Sequence, residues 1–153
     1  MENKTIYLAT DHAGFKLKEK TKKILKKKYP EYNVKDLGAE TYNPDDDYPL
    51  FIKKAGEKIS ENPENLAIIF GGSGQGEAMV ANRFKNVRAT VYYGGNPKIL
   101  KLSKEHNNAN VLSIGARFVK SINLGKILKI WLSEPFSNKQ RHQRRIEQID
   151  GEI

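Results

Sequence analysis

The sequence predicts a three-layer α/β/α domain, a five-stranded parallel sheet with helices on both faces. Three observations predict it. Short runs rich in β-branched and aromatic residues recur five times, at 5–9, 32–37, 66–70, 88–93 and 109–114. Helix-like segments alternate with them, which is the pattern of repeated βα units rather than of hairpins. The chain has 153 residues and no internal repeat or low-complexity linker, so a single domain with its own core is expected over 1–153.

The elements follow in order. The first strand runs directly from the N-terminal segment Met1-Glu2-Asn3-Lys4. Residues 15–28 follow as a helix that gathers Leu17, Ile24 and Leu25 on one side, with Phe15 at its start. Helices are expected near 49–60, 76–83 and 97–106, each in a gap between strands. A long apolar helix at about 118–133 carries Ile122, Ile127, Leu128, Trp131 and Leu132, and Pro135 ends it. Ser137 with Gln140 three residues later has the form of a capping box opening a last helix, a tail over about 137–153.

Composition excludes several classes of function. There is no cysteine, hence no disulfide framework, thiol nucleophile or thiolate metal site. No apolar run approaches the ~20 residues of a membrane span, and the N-terminus has no apolar signal segment. A cytoplasmic protein without membrane partners is the expectation. The net charge is +9, and residues 16–28 hold eight Lys and one Glu. Without interleaved aromatics or a nucleic-acid motif, that stretch reads as the solvated face of a surface helix. No nucleic-acid partner is expected.

In a parallel sheet, ligands bind beyond the carboxyl ends of the strands. Three polar clusters flank predicted strands: Thr10-Asp11-His12-Ala13-Gly14, Gly71-Gly72-Ser73-Gly74-Gln75-Gly76-Glu77, and His106-Asn107-Asn108 with Gly115-Ala116-Arg117. The glycine-rich loop is the strongest. It lacks the Lys-Ser/Thr of a Walker A loop. Its spacing puts Glu77 where a dinucleotide fingerprint needs glycine, and Gln75 where a nucleophile elbow does. A phosphate or oxyanion cradle remains, with Glu77 on its rim. The helix N-terminus is expected to keep that carboxylate ionised, which suits a base. If residues 73–77 begin a helix, Ser73 and Glu77 share a side. Arg141 and Arg145, four apart, share a helical face suited to a phosphate or simply to solvent. The three histidines, His12, His106 and His142, have no metal-ligand spacing, and no metal is expected.

Laid out in this way, the sequence resembles the ribose/galactose isomerase family over nearly its whole length. The matching segments are Asp11-His12-Ala13-Gly14, Asp47-Tyr48-Pro49, Gly72-Ser73-Gly74-Gln75-Gly76-Glu77, Ala81-Asn82-Arg83, His106-Asn107-Asn108-Ala109-Asn110, Gly115-Ala116-Arg117 and Gln140-Arg141-His142-Gln143-Arg144-Arg145. Arg83 stands where lysine is usual and keeps the charge. The resemblance implies a Rossmann-like fold and cofactor-free interconversion of ribose 5-phosphate and ribulose 5-phosphate, a step of the pentose phosphate pathway. It also implies a homodimer, or a tetramer, with sites at the subunit interface. It places this chain in the branch where serine, here Ser73, replaces a catalytic cysteine and a glutamate four residues on, Glu77, is the base. It makes His106 the ring-opening acid and puts Asp11, His12, Tyr48 and Asn107 at the sugar. Gly72, Ser73, Gly74, Gln75 and Gly76 then surround the enediolate, and Arg117, Arg141 and Arg145 take the phosphate. Other readings are a hexose 6-phosphate isomerase, a phospho-sugar binding module without turnover and, from the lysines alone, a nucleic-acid binder. Intact Glu77 and His106 favour catalysis, since binding needs neither.

Overall fold

The computed structural model describes residues 3–151. Five strands form one parallel sheet: β1 (Thr5–Thr10), β2 (Asn33–Asp36), β3 (Leu66–Gly71), β4 (Ala89–Tyr92) and β5 (Val111–Gly115), in the order β2-β1-β3-β5-β4. The helices are α1 (Phe15–Lys28), α2 (Tyr48–Glu61), α3 (Gln75–Ala81), α4 (Lys98–Glu105), α5 (Leu124–Ser133) and α6 (Gln140–Asp150). The expected architecture is present, element for element.

Strand alternation builds the two core layers. Ile6, Leu8, Ile68, Phe70, Leu112 and Ile114 pack with Leu17 and Leu25 of α1, Leu100 of α4 and Leu124, Ile127, Leu128 and Trp131 of α5. Their neighbours Tyr7, Ala9, Ala67, Ile69 and Val111 face the other way, onto Ile52, Ala55 and Ile59 of α2 and Ala81 of α3. Both faces of β1, β3 and β5 are thus covered, which is why these strands read as continuous apolar runs. β1 leads outward to β2, whereas β3 leads to the other half of the sheet. The topology therefore switches between β1 and β3, and a crevice opens at their carboxyl ends.

Three expectations change. The helix at 118–133 begins later: residues 115–119 form a turn closed by Phe118 N–H and Val119 N–H on the Gly115 carbonyl. A short 3-10 turn at Ser121–Asn123 precedes α5. Phe118 and Ile122 stay exposed. The capping box does not form. Asn138 adopts a left-handed backbone (φ 55°), which sets Ser137 outside the helix. Ser137 Oγ instead accepts from Lys139 N–H at 3.2 Å and lies 2.6 Å from His142 Nδ1.

The lysine-rich helix is not solvated throughout. Lys18 is fully buried, and its Nζ donates to both carboxylate oxygens of Asp36 (2.8 and 2.7 Å) and to the Ala39 carbonyl (2.7 Å). Lys22 reaches the same carboxylate at 2.6 Å. Lys16, Lys20, Lys23, Lys26, Lys27 and Lys28 are exposed as expected. Periodicity missed Lys18 because its partner lies on β2, outside the helix.

Candidate active site

The switch-point crevice is a cavity of about 580 Å³, lined by residues from four segments. Asp11, His12 and Ala13 follow β1, Gly72, Ser73, Gly76 and Glu77 come from the loop and helix after β3, Tyr48 opens α2, and Arg117 and Phe118 follow β5, whereas Gly74 and Gln75, also expected at the site, do not line the cavity. Asp11, His12, Tyr48, Gly72, Ser73, Gly76, Glu77 and Arg117, all expected at the site, therefore meet here.

Glycines shape the loop where bulk is not tolerated. Gly74, at φ 79°, turns the chain into α3, and its carbonyl accepts from Ser113 Oγ at 2.7 Å. A Cβ on Gly71 would occupy the position of the Glu77 carboxylate, and one on Gly76 would overlap the Tyr48 hydroxyl. These absent side chains let an acid and a phenol sit against the loop backbone. Arg117 is tied to the same loop: its N–H donates to the Gly72 carbonyl at 3.0 Å.

Glu77 is 4% exposed, inside the wall rather than on the rim. Burial pushes its pKa up; its own backbone N–H partly opposes this, and the Asp11 charge adds to it. Loss of water is the largest influence on this carboxyl, ahead of the amide at the start of the helix. The shared helical side of Ser73 and Glu77 is also corrected. α3 starts at Gln75, so Ser73 lies outside it, exposed, accepting from Gln75 N–H at 3.3 Å. Both residues line the same cavity.

His12 follows the Asp11 turn, where Asp11 Oδ1 accepts from Ala13 N–H at 3.0 Å. A residue missed in the sequence, Asp46, reaches it from the loop before α2. Asp46 Oδ1 lies 2.7 Å from His12 Nδ1 and accepts His12 N–H at 2.9 Å. That bond raises the His12 pKa; partial burial and Arg117 oppose it, and Asp11 supports it. Asp11, His12 and Asp46 carry ligand-type atoms within 4.8 Å of one another, a cluster that histidine spacing could not reveal. An acidic run, Asp45-Asp46-Asp47, was the one available signal.

His106, Asn107, Arg141 and Arg145 are not in this cavity. His106 and Asn107 lie in the α4–β5 connection, at the opposite end of β5 from Arg117. The His106 ring stacks on His142 with centroids 4.3 Å apart. His142, almost fully buried, has its pKa lowered by burial and then by electrostatic repulsion from the direction of His106, Arg141, Lys139 and Arg145. α6 presents Arg141 and Arg145 to solvent on that side. A larger cavity there, about 760 Å³, includes Asn107, but its Arg88 is already bound to Asp150 at 2.7 Å. One chain therefore carries two separate clusters: a cradle with a buried acid at the carboxyl ends of the strands, and a histidine–arginine surface at their opposite end.

A buried carboxylate, a hydroxyl, a protonatable imidazole and a guanidinium around one loop suit proton transfer next to an anionic group. Comparison with known proteins agrees. Residues 6–149 match the model of the family described as Ribose/Galactose Isomerase. Ribose-5-phosphate isomerase B of Mycobacterium tuberculosis is 37% identical over 147 residues, 96% of this chain and 88% of that protein. A probable ribose-5-phosphate isomerase B of Mycoplasma genitalium is 38% identical, covering 94% and 92%. The crystal structure of the Mycoplasma genitalium enzyme with bound ribulose-5-phosphate superposes with a TM-score of 0.90, at 36% identity and 98% and 96% coverage. A ribose 5-phosphate isomerase from Thermotoga maritima gives 0.86, at 34% identity and 97% and 99% coverage. With fold, cradle and sequence in agreement over nearly its full length, the chain belongs to the ribose/galactose isomerase family.

Proposed function

We propose that this protein is a cytoplasmic isomerase of one domain, 1–153, that interconverts D-ribose 5-phosphate and D-ribulose 5-phosphate. The observation that carries the reading is the Glu77 carboxylate, buried against Gly71 in a polar cradle. The names of the relatives and the sugar bound in the Mycoplasma genitalium structure support the five-carbon substrate. Among the described residues no helix is long and apolar enough to cross a membrane.

In the proposed mechanism, His106 protonates the ring oxygen and the anomeric hydroxyl gives up its proton to solvent, which opens the furanose. Glu77 removes the proton from C2 of the open aldose, leaving an enediolate. The loop amides of residues 72–76 and Ser73 Oγ stabilise its oxygens. A proton passes from O2 to O1 and Glu77 returns its own proton to C1, which yields the ketose. The raised pKa of Glu77 strengthens it as a base and eases its reprotonation, because proton transfer is most efficient when the pKa approaches the working pH. Arg117, Arg141 and Arg145 hold the phosphate, remote from the reacting carbons. No step assigns work to a cofactor.

Because His106, Asn107, Arg141 and Arg145 sit at the opposite end of the strands from the cradle, the working site is assembled from two copies. Each donates its cradle to one site and its histidine–arginine surface to the other. Purified protein offered ribose 5-phosphate, and separately allose 6-phosphate, should form ketose from the first. Absence of ketose from both substrates rejects the function. Mixing inactive Glu77→Gln and His106→Asn proteins should restore activity through hybrid dimers that contain one intact site. No recovery after subunit exchange rejects the two-copy arrangement.

A further inference from the structure

Two cations outside the segments that carry the family resemblance, Arg88 and Lys104, hold the turn that bears His106 and Asn107. The turn folds back over the end of α4. Asn108 N–H donates to the Lys104 carbonyl at 3.0 Å, and Ala109 N–H to the Ser103 carbonyl at 2.9 Å. Asn108 adopts a left-handed backbone (φ 44°). The carbonyls of the same two residues accept from two different side chains. Arg88 Nε donates to Asn108 O at 3.1 Å, and Lys104 Nζ to Ala109 O at 3.2 Å. Both cations are largely withdrawn from water: the Arg88 side chain is 11% exposed, and Lys104 is buried. Lys104 Nζ stands 4.7 Å from the centre of the Trp131 ring, and burial, then repulsion from Lys4 and Arg88, pushes its pKa down to about 8. A buried ammonium is costly unless hydrogen bonds compensate it. The Ala109 carbonyl is its one hydrogen-bond partner among the described residues. Arg88 spans further: its Nη1 donates to the carboxylate of Asp150, the last residue of α6, at 2.7 Å. One guanidinium thus ties the His106 turn to the helix that carries Arg141 and Arg145. None of these bonds uses the His106 ring, so they set where it stands without occupying its nitrogens.

We propose that Arg88 and Lys104 are positioning residues that hold the His106 turn for opening of the sugar ring, a step separate from the proton transfers at Glu77. A general acid works within about 2.6–3.2 Å of the atom it protonates, and a misplacement of about 1 Å costs on the order of 10²-fold. The turn has no regular secondary structure to fix it, so its two clamped carbonyls set the place of the imidazole. Neither Arg88 nor Lys104 lines the cavity that contains Glu77. Loosening the turn should therefore slow ring opening and leave the carbon acid chemistry intact. The inference rests on the isomerase reading and deepens it, by dividing the reaction into a step that needs these cations and a step that does not.

The two steps separate by substrate. Ribose 5-phosphate is closed into a furanose and must be opened. Ribulose 5-phosphate cannot form that ring, because its C5 hydroxyl is phosphorylated. Exchange of the ribulose C1 hydrogen with labelled solvent therefore needs Glu77 and not ring opening. Two variants of the full-length protein test the clamp. Lys104→Met keeps an apolar stem over Trp131 and removes a buried charge, so the chain should stay folded. Arg88→Lys keeps the charge, but one amine lacks the planar fork that serves Asn108 and Asp150 together. Each should isomerise ribose 5-phosphate about 10–100-fold more slowly while C1 exchange changes little, so the ratio of exchange to isomerisation rises by that factor. Mixing subunits decides independently of exchange. Either variant should regain isomerisation with Glu77→Gln protein, whose turn is undamaged, and gain nothing with His106→Asn protein. A ratio equal to that of wild type overturns the proposal, and so does recovery with His106→Asn. Failure to recover with Glu77→Gln, when Glu77→Gln and His106→Asn complement each other, overturns it as well. Wild-type protein that neither isomerises nor exchanges rejects the isomerase reading instead.

Discussion

Replacing Glu77 with Gln separates its catalytic role from any structural one. Gln has the same shape and fits the space that Gly71 leaves, so the loop should keep its conformation. It cannot accept a proton from carbon. The only other carboxylate lining the cavity is Asp11, and its Oδ1 already accepts the Ala13 N–H. Loss of the base should therefore lower kcat about 10²–10⁴-fold, on the order of 3–5 kcal/mol of barrier at 1.36 kcal/mol per tenfold. Stability should move the other way. The folded-state pKa of Glu77 is raised by burial. The native state therefore holds its proton more tightly than the unfolded chain, and stability declines as pH rises from the ordinary glutamate value through the raised one. Gln removes that penalty. The variant should melt at the same temperature as wild type or higher at neutral pH, with a flatter dependence on pH. In the wild type, the acidic limb of the kcat/KM profile should lie above the ordinary carboxylate range. The assay is ketose formation together with exchange of the C2 hydrogen with labelled solvent. An inactive variant that still binds substrate without exchange supports the reasoning. Near-normal exchange in Glu77→Gln, with exchange lost in Ser73→Ala, would refute it and make Ser73 the base.

Four other outcomes follow from the same geometry. Gly71→Ala should cost activity about 10²-fold while leaving the acid in the chain, because the new Cβ takes the place of the Glu77 carboxylate; steady-state kinetics on a variant with wild-type circular dichroism checks it. Lys18→Met leaves Asp36 with less counter-charge in a largely buried setting, and should destabilise by about 3–5 kcal/mol in urea unfolding, whereas Lys23, Lys26 and Lys27 changed together to Gln should alter neither stability nor kcat/KM at moderate salt. Arg141→Ala should raise KM about 10–100-fold with a smaller change in kcat; an unchanged KM, with inorganic phosphate still inhibiting normally, removes Arg141 from the site. Turnover should persist in excess EDTA, and activity that disappears with chelator and returns with one metal would assign the Asp11, His12 and Asp46 cluster to that ion.

What the sequence by itself determined is whatever local spacing encodes. Runs rich in β-branched and aromatic residues at 5–9 and 66–70 marked strands, and the helix-like segments between such runs marked βα units. The glycine-rich run at 71–76 could only be a loop approached closely by something, and Glu77 was legible as its acid. Tertiary structure decided the rest, because burial and pairing depend on which segments the crossovers bring together. Lys18 looks like any other lysine of its helix until β2 places Asp36 beneath it. Glu77 looks like a rim carboxylate until α3 packs it over Gly71, where loss of water pushes its pKa up. Asp46 is 34 residues from His12 and reaches it only because its loop returns over the end of β1. His106 and Arg141 fall at the opposite end of the strands from the cradle, since a strand separates a connection that enters it from the loop that leaves it. Spacing along the chain carries no record of that separation.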